Sequence, residues 1–283
     1  MPKSQVISAQ VAGLSTHPNP LTAPEGTFLV MENTVANRPG VVENRRGFNR
    51  YATTSASPSA LGEYKDTLLV LDGTTLKRDN GSGTLTSYSG SFTAVTSHRM
   101  RFLEERKNLY FPTSTGIERL DGIAGTPTAA GCPRGLDLTL SQHTGVGVIL
   151  PATKFLAMRL TWVKKDSNGR VLESYPTPLT VIEGHATDVK DIDYQSSMPD
   201  DIAAGDFYRI YATTYYDTAS DVGDSPLLIK EVGVVAGDVT NGYVSGTYSE
   251  AITDETPLYT NPEEQTIDQG NDVPPYARDI AAF

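Results

Sequence analysis

Short apolar runs separated by turn residues recur along the chain, and this pattern predicts strands rather than helices. The segment Asp66–Arg78 (DTLLVLDGTTLKR) has an apolar run on each side of an Asp-Gly turn, which is typical of a β-hairpin. Asn80–Gly83 predicts a second turn, and Thr84–Tyr88 a third strand. Compact apolar runs of this kind also argue against an intrinsically disordered chain.

An internal repeat follows this hairpin. The sequence EYKDTLL at Glu63–Leu69 matches ERKNLYF at Glu105–Phe111 with an offset of 42 residues, and TTLKR ending at Arg78 matches TGIER ending at Arg119 with an offset of 41. One deleted turn residue reconciles the two offsets. A repeat of about 40 to 45 residues made of short strands is typical of a β-propeller blade. We therefore expect propeller-like β repeats over residues 52–140, with a simple pair of hairpins as the alternative.

The second half of the chain has longer strands. They begin after a linker rich in proline and glycine, Gly125–Leu140. The predicted strands are Phe155–Lys164, Arg170–Ser174, Thr177–Ile182, Val189–Tyr194, Phe207–Thr213, Leu227–Val235 and Tyr243–Tyr248. Strands at this spacing, with polar turns such as DSNG between them, predict a β-sandwich over residues 153–248. Trp162, Tyr208 and Tyr211 are expected in its core or on its faces.

The two ends of the chain carry weaker patterns. Residues 1–51 contain several prolines and few apolar pairs, so they predict an extended N-terminal arm with turns. Residues 249–283 predict a polar linker followed by the start of a further β blade at PPYARDIAAF. An unpaired terminal strand leaves an open edge, so we expect this chain to be the front part of a longer protein.

The residue composition supports an all-β fold, and the net charge limits the kinds of partner that the chain could bind. It contains 25 Gly, 18 Pro, and 14 Tyr against 8 Phe, a mixture that favours short strands and turns. The formal net charge of −11 argues against a DNA-clamping surface, because such surfaces need clustered Lys and Arg. The net negative charge has two interpretations: it keeps the protein soluble, or it forms an acidic wall past which DNA slides.

The residues point to no enzyme, cofactor or metal site. Cys132 is the single cysteine, in a Gly-Cys-Pro turn, so neither a disulfide nor a catalytic thiolate is expected. His143 has no marked partner for base catalysis, and the carboxylates from Asp188 to Asp206 lack the order of a calcium loop. No signal peptide or membrane span is evident, so we expect synthesis in the host cytoplasm without membrane insertion.

The N-terminal segment Gly13–Phe48 carries the most specific motifs. An NPL-x-x-P-x-G segment is followed by M-x-N and then by GV-x-E-x-RRGF. The matching residues are Asn19, Pro20, Leu21, Pro24, Gly26, Met31, Asn33, Gly40, Val41, Glu43, Arg45, Arg46, Gly47 and Phe48. This series resembles the opening of podovirus virion proteins, the tail nozzle or tail tubular proteins of short-tailed bacteriophages. The similarity extends to AG-x-P-x-G-x-D at Ala130–Asp137 and to PP-x-A-x-x-IA at Pro274–Ala281.

The resemblance implies a fold and a role. The fold is a β-propeller body with a fibronectin-III-like or immunoglobulin-like sandwich. The role is a homo-oligomeric, six-fold ring in the virion, in contact with the adaptor or portal-side tail proteins and the tail fibres, with DNA only as passing cargo. Glu43, Arg45, Arg46 and Phe48 are the candidate assembly residues, either as inter-subunit contacts or as solvent-exposed side chains.

Two other functions stay open at this point. A receptor- or carbohydrate-binding virion module could use aromatic rings such as Tyr215 and Tyr216 at a sandwich edge. A glycosidase or peptidase on a propeller scaffold would need paired carboxylates or a triad, which the sequence does not mark.

Overall fold

A computed structural model describes residues 13–14, 27–28, 34–38, 41–44, 50–89, 100–223, 225–250, 271–277 and 279–281. The chain divides into two compact units, Met1–Tyr51 and Ala52–Phe283. In the first unit, β1 (Gly13–Leu14) pairs in parallel with β2 (Thr27–Phe28). In the same unit, β3 (Thr34–Arg38) pairs antiparallel with β4 (Val41–Asn44).

The second unit begins with two antiparallel meanders of four strands each. The first meander consists of β5 (Pro58–Tyr64), β6 (Thr67–Asp72), β7 (Thr75–Asp79) and β8 (Leu85–Ser87). The second consists of β9 (Leu103–Glu105), β10 (Asn108–Pro112), β11 (Ile117–Leu120) and β12 (Thr128–Ala129). Each strand pairs with the next along the chain, because the connecting turns are short.

The two meanders share one backbone register at an offset of 41 residues. The first turn of each has positive φ angles at two consecutive residues, Lys65 and Asp66 in one and Arg106 and Lys107 in the other. The pairings are equivalent as well, since Leu69 faces Arg78 just as Tyr110 faces Arg119. The predicted change of offset is therefore wrong, and no turn residue is deleted. Sequence identity had aligned Lys65 with Lys107, whereas the turn backbone aligns Lys65 with Arg106.

Opposite faces of the two meanders meet in a common core. The first contributes Ala60, Tyr64, Leu69, Leu71 and Leu76, and the second contributes Leu109, Phe111 and Leu120. At the offset of 41, Leu109 and Phe111 correspond to Leu68 and Val70, which lie on the other face of the first meander. Two sheets related by a two-fold axis would meet through equivalent faces. The observed relation is instead that of successive units in a stack, as in propeller blades, although a propeller itself remains a prediction.

Two further antiparallel sheets share a second core. The three-stranded sheet contains β13 (Thr139–Gln142), β17 (Ile192–Ser197) and β20 (Tyr243–Tyr248). The five-stranded sheet contains β14 (Phe155–Lys165), β15 (Val171–Glu173), β16 (Thr180–Glu183), β18 (Phe207–Ala212) and β19 (Leu227–Gly233). A 3₁₀ helix at Ala219–Asp221 precedes β19, and α1 (Ala236–Asn241) joins β19 to β20.

The predicted all-β fold is confirmed, and most strands fall where the apolar pattern placed them. Trp162 and Tyr208 are buried in the shared core of the two sheets, whereas Tyr211 lies in a small separate cluster with Leu228. The sheets also include β13, because its backbone pairs with β17. Its first two residues were predicted to belong to the repeats and the linker, and its last two to neither predicted domain. The likeness to a fibronectin-III or immunoglobulin domain remains a prediction.

The C-terminal residues differ from the expected start of a further blade. Residues 271–277 and 279–281 contain no strand. Asn271 instead joins two loops, since its carbonyl accepts a hydrogen bond from Cys132 N at 2.6 Å and its N–H donates to Glu173 O at 2.8 Å. Pro274 and Pro275 have no N–H to donate, which disfavours a ladder at this point. Among the described residues, no helix is long and apolar enough to cross a membrane.

Candidate functional site

The predicted assembly residues fall in the first unit. Glu43 lies in β4, where its backbone pairs with Val35. Arg45, Arg46 and Phe48 lie outside the described residues. Their part in inter-subunit contacts therefore stays a prediction. The second unit offers four arrangements of polar side chains in which a functional site could lie.

The first arrangement joins the second meander to the β14–β15 turn through Asp166. Asp166 Oδ2 accepts a hydrogen bond from Asn108 Nδ2 at 2.8 Å, and Oδ1 accepts from the backbone N–H groups of Asn168 and Arg170 at 3.0 and 2.7 Å. Burial by itself raises the pKa of Asp166, but these hydrogen bonds and the charge of Arg119 hold it below its usual value. The carboxylate is therefore ionised and acts as a structural connector.

Arg119 is the buried cation of the same junction. Its side chain is 5% exposed, and Nη1 lies 3.7 Å from Asp166 Oδ2. Within the described part of the chain, Nε and Nη1 have no hydrogen-bond acceptor. A buried guanidinium depends on its nearby carboxylate, because removing one charge of such a pair leaves the other uncompensated. The junction thus resists separation of the meander from the two-sheet core.

The second arrangement is a charged network on the outward face of the five-stranded sheet. Arg209 donates to Glu173 Oε2 at 2.5 Å and to Glu231 Oε2 at 2.9 Å, and Lys165 Nζ lies 2.5 Å from Glu231 Oε1. Tyr211 Oη donates to Glu173 Oε1. Burial raises the pKa of Glu231 by itself, but hydrogen bonds from Lys165 and Arg209 lower it overall. Both carboxylates are engaged in ion pairs, an arrangement that favours a cross-strand brace over acid–base chemistry.

The third arrangement contains His143, whose partner the sequence did not mark. Its Nδ1 lies 2.9 Å from Asp193 Oδ1, and Thr247 Oγ1 donates to the same oxygen at 2.5 Å. The hydrogen bonds from Thr247 and His143 lower the pKa of Asp193. Thr247 and His143 both bind the carboxylate, so the hydroxyl is not placed for activation by the imidazole as a nucleophile would be. His143 and Asp193 are 50 positions apart in the sequence, so local sequence patterns could not identify them as a pair.

The groove beside Asp193 is the fourth arrangement. It has a volume of about 320 Å³ and follows the outer face of the three-stranded sheet. Its lining is mostly hydroxyl, amide and carboxylate groups: Thr139, Ser141, Asp193, Tyr194, Gln195, Ser245, Gly246 and Thr247. Such a surface offers donors and acceptors to a polar ligand. The outward side chains of Thr139, Ser141, Asp193, Gln195, Ser245 and Thr247 alternate along the strands with the inward positions Leu140, Tyr194 and Val244.

The acidic residues considered for calcium binding are dispersed. Asp188 lies near His185 and Lys190, Asp191 accepts a hydrogen bond from Val148 N at 2.8 Å, and Asp206 accepts from Ala203 N at 2.9 Å. Over the part of the chain that the structure describes, no group of three or more His, Cys, Asp or Glu residues is arranged to hold a metal ion.

Cys132 is buried, and the two tyrosines named for the sandwich edge differ in exposure. Cys132 is fully buried and its Sγ donates to Trp162 O at 3.3 Å. Burial raises the pKa of its thiol to about 12, so the reactive thiolate is disfavoured. Tyr215 is 39% exposed, while the backbone of Tyr216 pairs with Phe155. Tyr216 is half-buried, so of these two tyrosines Tyr215 has the more open ring for stacking.

Comparison with known proteins gives no relative: no family model, no curated protein and no solved structure matches this chain.

Proposed function

We propose that this chain is a structural component of a short-tailed phage tail, of the nozzle or tube type. It assembles into a ring through which DNA leaves the particle. The observation that carries the proposal is the series of motifs from Gly13 to Phe48, which ends in GVVENRRGF. Its residence in the virion and its contacts with adaptor, portal-side and fibre proteins belong to the same proposal.

The second unit supports a mechanical role. Its two meanders are stacked on a common core, and the second meander is tied to the β14–β15 turn by Asp166 and Arg119. A rigid stack of this kind transmits force without internal sliding, since packed cores resist small displacements. The net charge of −11 fits a channel wall from which DNA is repelled rather than retained.

The test is the mass of the purified full chain in solution, measured by light scattering and followed by negative-stain imaging. A closed ring of about six subunits is expected, because head-to-tail contacts close into rings. Arg45→Ala combined with Arg46→Ala should lower the ring fraction, while Arg106→Ala, at an exposed arginine in an ion pair with Glu105, serves as the matched control. A monomer at all concentrations would contradict the ring.

A receptor-binding module is the second candidate, and the polar groove on the three-stranded sheet favours it. Hydroxyl and amide side chains at Ser141, Gln195 and Ser245 could bind the hydroxyl groups of a glycan. A glycan array probed with the full chain tests this function. Binding that is lost in Gln195→Ala but retained in Gln142→Ala, at another exposed glutamine, would support it.

A further inference from the structure

The loop between β13 and β14 displays the two most exposed large apolar side chains in the described part of the chain. We call residues 143–148 the valine loop. Val146 is 83% exposed and Val148 is 66% exposed. Exposed apolar side chains that lie together mark interaction sites, whereas ones scattered singly are ordinary surface residues.

The backbone of the valine loop is fixed against the segment that precedes β17. Gly147 N donates a hydrogen bond to Val189 O at 2.7 Å, and Val148 N donates to Asp191 Oδ1 at 2.8 Å. A Cβ added at Gly147 would lie 2.0 Å from Asp191 N, so glycine is required for this close approach. Because the loop is already ordered, docking its valines costs little conformational entropy.

A pocket with an apolar wall is formed by the segments that precede β13 and β16. Its volume is about 410 Å³, and its apolar wall consists of Leu136, Tyr175, Pro176 and Pro178. Leu136 is 56% exposed there. Concave surfaces with mainly apolar walls and a few polar groups bind apolar groups well. The pocket is therefore suited to aliphatic side chains such as valine.

The valine loop and the pocket lie at opposite ends of β13 and β16. Thr180 Oγ1 donates to Leu138 O at 3.0 Å, and Gln142 Nε2 donates to Glu183 O at 2.9 Å, so the two strands run side by side in the same direction. The pocket precedes both strands and the loop follows β13. The four residues of β13 span roughly 13 Å. The loop therefore does not fill the pocket of its own chain, whereas the loop of another copy can.

The charges around the two sites are complementary. The described lining of the pocket includes two arginines, Arg134 and Arg159, and no carboxylate. Three aspartates, Asp188, Asp191 and Asp193, lie beside the valine loop against one lysine and two histidines. Opposite charges on two surfaces steer them together and fix their orientation.

We infer that the valine loop of one copy of this chain docks into the pocket of a second copy. The contact joins different surfaces of the two copies, so its repetition builds a head-to-tail series, which becomes a ring when the rotation closes. The choice of a second copy as the partner rests on the proposed ring. The assignment of the two docking surfaces rests on their shape and charge.

The experiment mixes two variants of the full chain, Val146→Cys and Leu136→Cys, one of which carries a mass tag. A short bis-maleimide should crosslink them into a mixed dimer, whereas either variant alone should give little dimer. Cys132 gives no background, since it is buried and its thiol pKa is raised to about 12. Two valines bury far less than the roughly 800 Å² per partner of a stable interface, so crosslinking detects this weak contact better than size does.

A charge placed on the loop tests the apolar contact. Val148→Lys, added to Val146→Cys, should lower the yield of mixed dimer about tenfold or more, because the lysine would be buried beside the arginines of the pocket. Val235→Lys is the matched control, at a valine that is 59% exposed directly before α1, and should leave the yield unchanged. The far-ultraviolet circular dichroism of each variant verifies that it is folded.

Two results would overturn the inference: no mixed dimer at high protein concentration, or equal losses of yield from Val148→Lys and Val235→Lys. Dimers formed by either variant alone as readily as by the mixture would also reject a contact between different surfaces. A closed ring without the mixed dimer would reject this contact and leave the proposed function in place. A mixed dimer in a chain that forms no closed ring would support the contact and reject the ring.

Discussion

Phe102 covers Gly62 so closely that the two residues hold the meanders in register. A Cβ added at Gly62 would lie 2.3 Å from Cδ2 of the Phe102 ring and within 2.9 Å of two further ring carbons. The same ring lies 6.2 Å from that of Phe111, between centroids. Glycine at position 62 is therefore required by the approach of the second meander and not by its backbone conformation.

Gly62→Ala should destabilise the second unit by about 1–3 kcal/mol, because the ring must move out of a packed position. Gly237→Ala is the matched control. Gly237 has open space around it and lies in α1, where alanine is the better helix former, so its change should be neutral or stabilising. Urea unfolding measures both variants. Equal midpoints for the two would contradict the role of Gly62.

Asp166→Asn should lower the free energy of unfolding by about 2–4 kcal/mol, because Arg119 would be left buried without its carboxylate. The control is Asp217→Asn, since Asp217 is 81% exposed in its pair with Lys154 and its loss should cost less than about 1 kcal/mol. Chemical denaturation followed by circular dichroism makes the comparison. Similar losses in both variants would show that the junction does not depend on this charge.

Asp72 should make stability depend on pH in a defined window. Hydrogen bonds from Lys77 Nζ at 2.6 Å and from Ser55 N lower its pKa to about 2. A carboxyl with a lowered folded pKa stabilises the fold above its unfolded pKa, which is about 3.9, and loses this effect as the pH falls through the folded value.

The wild-type chain should therefore be more stable than Asp72→Asn above about pH 5, and the difference should shrink between about pH 4 and pH 2. Thermal unfolding of both chains across this range measures it. A difference that stays constant down to pH 2 would exclude titration of Asp72 as its cause.

Cys132 should not react with a thiol reagent in the native chain. Its side chain is buried and its raised pKa keeps it protonated at neutral pH. Reaction should become complete in denaturant, where the thiol pKa returns to about 8.5. A colorimetric thiol assay with and without denaturant tests this, and fast labelling of the native chain would contradict the burial of Cys132.

Local sequence patterns were sufficient to predict most strands and turns. Tyr243–Tyr248 was predicted with the bounds that the structure has, and the DSNG turn follows β14 as expected. Strands and turns are determined by residues only a few positions apart, so a single sequence is enough to predict them. One strand was misplaced: Val189–Tyr194 was expected, but β17 runs from Ile192 to Ser197. Lys190 instead forms an isolated bridge with Leu150.

Only the tertiary structure decides which face of each meander is buried in their common core. The run from Leu68 to Leu71 places apolar side chains on both faces of β6, so its pattern cannot say which face is inner. The packing of Phe102 and Phe111 against Leu69 and Leu71 makes that choice. Residues distant in the chain, such as His143 and Asp193, likewise meet only because β13 pairs with β17. Strand formation depends on residues that are neighbours in the sequence. Which face of a sheet is buried, and which distant residues meet, depends on the surfaces that exclude water together.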